Sequence, residues 1–279
     1  MKLMWLTDLH LDEATEKRRF EFYSRLRNEN CDAVVITGDI SDASGLPGHL
    51  RELGQTFGSR PVYFVLGNHD FYGSSFTDVD RAVLAVCEEQ RNLRHLGYGE
   101  IIPLADGAAL VGHRGWADGR AGLGDRSEIP NPDQKNIADL CGLSGQAMFG
   151  KLAELGKESA NYFRDVLPYA LRCYQHVWVA THVPPFTRAA FYNRKPCGET
   201  HLPHYVNMSA GGTICGIAKS FPKSRLSVLC GHTHSAANLS ASDKVRVIVG
   251  EARTKWPQMQ KVFEVSGATA VVRRGGGAR

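Results

Sequence analysis

The chain has 279 residues, 43% of them hydrophobic and 22% charged, with 33 Lys and Arg against 29 Asp and Glu. These values exclude a disordered, collagen-like or coiled-coil chain, and a surplus of +4 is too small to argue for nucleic acid by itself. At roughly 150 residues per domain, the length fits one large α/β domain with insertions as well as two domains.

In chain order, short apolar or β-branched runs predict strands over 2–7, 33–37, 61–66, 108–112, 177–181, 226–230, 245–249 and 261–265. Apolar spacing predicts helices over 14–28, 77–91 and 144–173. Residues 114–139 and 183–212 are irregular, rich in Gly, Asp, Asn and Pro, and long ordered loops tend to be functional. Residues 238–244 read as a Ser- and Asp-rich turn. Alternating strands and helices imply a layered α/β fold, with a second, partly antiparallel sheet towards the end. Seven cysteines without a Cys-x-x-Cys pair point to reduced thiols, hence a cytoplasmic chain. No leader-like segment precedes the first strand, and no run reaches the ~18 apolar residues of a membrane span. The basic tail Arg273 to Arg279 reads as a frayed end.

Five predicted strands end in metal-binding side chains. They are Asp8 and His10, then Asp39, then Asn68-His69-Asp70, then His182, then His232 and His234. Each has an ordinary reading alone: a Gly-Asp is a turn, and an Asn or Asp after a strand caps a helix. Together they are a different matter, because open α/β sheets bind ligands beyond the carboxyl ends of their strands. Asp8 and His10 share a face of an extended strand end. His232 and His234 can share one cation or split between two, and Asp39 can bridge two. Imidazole and carboxylate donors suit Mn, Fe, Zn, Co or Ni, so two such ions are the expected cofactors.

The blocks Asp8-Leu9-His10, Gly38-Asp39, Gly67-Asn68-His69-Asp70, His182 and Gly231-His232-Thr233-His234 resemble the calcineurin-like metallophosphoesterase superfamily across residues 8–234. The resemblance implies a four-layer αββα sandwich, two mixed sheets flanked by helices. It implies one metal on Asp8, His10, Asp39 and His234, and a second on Asp39, Asn68, His182 and His232, with Asp39 bridging. It also implies that His69 faces the leaving group. Position 42 is Asp where purple acid phosphatases carry a metal-binding Tyr, so a tyrosinate–iron site is not expected. Ala43-Ser44 replaces the Arg-Gly of protein Ser/Thr phosphatases, which also favour Glu where Asp70 stands. The pattern looks closer to bacterial small-molecule phosphohydrolases and class III cyclic-nucleotide phosphodiesterases.

The expected chemistry is hydrolysis of a phosphate ester. Two cations about 3.5–4 Å apart would clamp a phosphoryl oxygen, and a metal-bridging hydroxide would attack phosphorus. His69, oriented by Asp70, would act as general acid. Candidate substrate contacts are His113, Trp116, Arg188, Arg194 and His201, with Lys195 and His204 nearby in the second irregular region. The chain reads as a single domain over 1–279, with 114–175 and 183–212 as inserted rim segments. The expected partner is a phosphate-ester substrate, without membrane or nucleic acid. A diesterase is the alternative to a monoesterase. A non-catalytic scaffold is disfavoured, because all seven ligand positions and His69 are present.

Overall fold

The computed structural model describes residues 1–266, so the basic tail lies outside the described residues. The elements run β1 (Lys2–Leu6), α1 (Glu16–Asn28), β2 (Ala33–Thr37), α2 (Leu46–Phe57), β3 (Val62–Val65), α3 (Phe76–Glu89), β4 (Leu93–His95), β5 (Ile102–Ala105), β6 (Ala108–Gly112), α4 (Asp133–Asn136), α5 (Gly145–Cys173), β7 (His176–Ala180), β8 (Phe191–Tyr192), β9 (Lys195–Pro196), α6 (Leu202–Tyr205), α7 (Met208–Lys219), β10 (Arg225–Cys230), β11 (Ala237–Ser242), β12 (Val245–Val249) and β13 (Met259–Glu264).

Two mixed sheets carry the fold. The first has the order β13-β1-β2-β3-β4 and the second β11-β12-β10-β7-β6-β5. β1 to β4 run parallel with β13 antiparallel at the edge, and β12, β10, β7 and β6 run parallel between antiparallel β11 and β5. One face of each sheet meets the other sheet: Leu3, Trp5, Val35 and Val65 pack against Leu110, Trp178 and Leu229. The Trp178 and Phe263 rings, one from each sheet, lie 4.9 Å apart. The opposite face of the first sheet packs on α1, α2, α3 and the start of α5, through residues such as Phe22, Leu50, Val83 and Leu152. That of the second packs on the remainder of α5 and on α7, through Phe163, Leu167 and Ile214. Strands covered on both faces read as continuous apolar runs, which is why 33–37 and 108–112 are recognisable without alternation. Thr15, Ser75 and Asn207 cap α1, α3 and α7, each accepting a backbone N–H.

Several expectations change. The turn expected over 238–244 shortens to Asp243 and Lys244. β11 runs through Ser242 beside β12, and its Ala-Asn-Leu-Ser alternation puts Ala237 and Leu239 against the core. The segment 114–175 does not all lie at the rim, because α5 buries Met148 to Leu171 as an outer helical layer. The irregular segment 183–212 ends inside α7, whose Gly-rich sequence gives weak helix propensity but a buried stripe of Ala210, Ile214 and Ala218.

Candidate metal centre

The carboxyl ends of β1, β2 and β3 in one sheet meet those of β7 and β10 in the other. Asp8, His10 and Asp39 are buried, as are Asn68 and His182, while His232 and His234 are partly exposed. Of the eight non-glycine residues with positive φ among the described residues, five are these donors: Asp8, His10, Asp39, His232 and His234. Left-handed backbone costs about 1 kcal/mol or more at such residues and gathers at functional sites. Two glycines allow the close approach. A Cβ on Gly67 would strike Asp39 Oδ1, and one on Gly231 would strike Asp8 Oδ2.

The donor atoms fall into two groups, each with its atoms within 4.8 Å of one another: Asp8, His10, Asp39 and His234, and Asp39, His182 and His232. Asp39 is common to both, and the His232–His234 pair splits between them. Asn68 Oδ1 adds a neutral donor to the second, 3.2 Å from His182 Nε2 and 3.0 Å from His232 Nδ1. His10 Nε2 and His234 Nε2 face each other at 3.0 Å, and His10 Nδ1 is buried with no hydrogen-bond partner. Converging nitrogens, carboxylates and an amide oxygen fit a pair of transition-metal cations, which would take these residues as ligands.

The surroundings fix which ring nitrogens are free. His182 Nδ1 meets the Thr37 carbonyl at 2.8 Å, leaving Nε2 for the centre, and His232 Nε2 meets the His204 carbonyl at 2.9 Å, leaving Nδ1. Burial would lower His182, but the Asp39 carboxylate 3.3 Å away overrides it and raises the imidazole to about 9. Burial lowers His10, and lowers His232 to about 4, so both are ready as neutral ligands.

A family model for calcineurin-like phosphoesterases matches residues 1–236. The chain belongs to that family. This calcineurin-like phosphoesterase carries a candidate dimetal site. Its fold is shared with the crystal structures of a dimetal phosphatase from Danio rerio (TM-score 0.56, 15% identity, covering 91% of this chain and 88% of that one) and of a Thermus thermophilus protein, TT1561 (TM-score 0.51, 11% identity, 90% and 88%). A transmembrane protein with metallophosphoesterase domain from Bos taurus is 33% identical over 81 residues, 28% of this chain and 18% of that protein. The Danio rerio protein of the same description is 36% identical over 75 residues, 26% of this chain and 17% of its own. The phosphoesterase thus spans under a fifth of these curated relatives. No helix among its described residues is long and apolar enough to cross a membrane.

A cavity of about 170 Å3 opens on the centre. It is lined by Asn68, His69 and Tyr72, by Asn131 and Asp133 from the first irregular region, and by Tyr192, His204 and Tyr205 from the second. His69 lies at the cavity wall, and Asp70, which the sequence suggests as its partner, does not orient it. The Asp70 carboxylate accepts instead from the backbone N–H groups of Ile40, Ser41 and Gly67 at 2.8, 3.0 and 2.7 Å. Most expected substrate contacts lie elsewhere. Trp116 is buried against Phe71 and Phe76. His113 is buried against Tyr162 and reaches Glu158 in a separate cavity. Arg194 pairs with Glu251 at 2.8 Å on the surface, and Arg188 is exposed beside the buried Ala189. His201 stacks on Tyr192, one ring back from the cavity.

Proposed function

We propose that the chain is a two-metal phosphoesterase in which Asp8, His10, Asp39 and His234 hold one ion, and Asp39, Asn68, His182 and His232 the other. The observation that carries this reading is the pair of donor groups sharing Asp39 at the floor of a cavity that also presents His69. When bound, the ions would act as Lewis acids on a phosphoryl oxygen and lower the pKa of water. The chain's own residues do the rest. Asn68, as a neutral ligand, adds no negative charge to the one that Asp39 brings to the second ion. His69 is partly exposed at the cavity wall and supplies a proton to the departing ester oxygen. The donor set contains no thiolate and accommodates Mn, Fe, Zn, Co or Ni. We read 1–279 as one catalytic unit whose rim comes from 114–144 and 183–207. Seven free cysteines support a reducing, cytoplasmic setting.

The test is turnover of mono- and bis-nitrophenyl phosphate by protein reloaded with each metal, which also separates monoesterase from diesterase. We expect His69→Asn to lower kcat about 100-fold or more on an alkyl phosphate, with a far smaller loss on nitrophenyl phosphate, whose leaving group needs no proton. Equal losses on both substrates would remove His69 from the acid role.

A further inference from the structure

Asp133 lies outside every block that the sequence singles out. It opens α4, in the loop between β6 and α5, and is buried at the cavity wall. Its Oδ1 accepts two hydrogen bonds, from Asn68 Nδ2 at 2.8 Å and from the Tyr72 hydroxyl at 2.7 Å. Asn131 Oδ1 accepts the Asp133 backbone N–H at 3.0 Å and so secures the turn. A carboxamide has one acceptor and one donor end. With Nδ2 committed to Asp133, the amide must present Oδ1 to His182 and His232. The Tyr72 ring lies on His69, with centroids 4.2 Å apart and planes 26° from parallel.

We propose that Asp133 and Tyr72 are positioning residues. Asp133 fixes the amide of Asn68 so that its oxygen faces the second cation, and the same carboxylate oxygen anchors Tyr72, whose ring steadies the His69 imidazole. The proposal rests on the ligand assignment above. Groups that hydrogen-bond metal ligands typically contribute 10–100-fold to metal affinity or activity. A carboxylate that merely fills space would contribute to folding without favouring one ion over the other.

The experiment is calorimetric titration of metal-free protein with Mn2+ alone. Wild type should bind two ions; binding fewer overturns the ligand assignment itself, whatever the variants do. Asp133→Ala should weaken one of the two ions by about 10–100-fold and spare the other. Asp133→Asn, which still offers an oxygen to Asn68, should restore most of the loss. Tyr72→Ala should lower kcat on an alkyl phosphate while leaving KM and both Mn2+ affinities in place. The proposal is overturned if Asp133→Ala binds both ions as wild type does, or weakens both alike. If Asp133→Ala does not fold, Asp133→Ser, too short to keep the Asn68 contact, carries the same two outcomes.

Discussion

Asp70 is fully buried, and its two oxygens take three backbone N–H groups from the loops after β2 and β3. The side chain ties together the turns that present Asp39 and Asn68. A buried donor left without an acceptor costs about 1–3 kcal/mol. In Asp70→Asn the amide nitrogen cannot accept from Gly67, so unfolding free energy should fall by about 2 kcal/mol in urea titrations. An unchanged midpoint would contradict the bracing role. Adjacency to His69 suggests a dyad in the sequence. His69–Phe71 form a 3-10 turn, however, and at three residues per turn neighbouring side chains point roughly 120° apart. The donors themselves were legible because each follows a strand. Asp133 was not: nothing in the 114–139 loop tells which of its acids turns inward.

At the scale of elements, the strand ends are tight turns whose geometry depends on missing side chains. Gly231→Ala would press a methyl group on the Asp8 carboxylate, so this variant should keep the far-ultraviolet dichroism of wild type yet bind metal more weakly. Wild-type affinity would show that the turn adapts. α5 spans both helical layers, with Met148 and Leu152 under the first sheet and Phe163 and Leu167 under the second. Phe163 is wholly buried, and Phe163→Ala should cost about 3–5 kcal/mol by chemical denaturation. The regular apolar spacing of α5 made it readable to within a residue. α2 has the same kind of stripe in Leu46, Leu50, Leu53 and Phe57, but Pro47 and Gly48 at its start obscure it, and no helix is predicted there. Such short, Gly-interrupted elements draw their stability from packing, which a single sequence does not display.

For the whole molecule, pH dependence has a source away from the metal centre. Burial pushes His95 down to about 3 and His176 to about 4. The unfolded chain protonates these rings below about pH 6.5 while the folded chain does not. Their contribution is therefore complete above pH 6.5 and is lost progressively as the pH falls towards 4 and then 3. The urea midpoint should drop between about pH 7.5 and pH 5, and His176→Gln should flatten part of that drop; an unchanged slope would excuse His176.

The proposed ligands come from both sheets: Asp8, His10, Asp39 and Asn68 from one, His182, His232 and His234 from the other. The two sides touch directly through the His232 N–H on Asp8 Oδ1 at 2.8 Å and His182 on the Thr37 carbonyl. An ion held by these residues would act as a rivet through the seam. Part of the affinity for metal becomes cohesion between layers. On chelation the seam should breathe at this end first, with amide hydrogens of Gly38, His182 and Gly231 exchanging faster, while the far end, locked by Trp178 against Phe263, stays shut.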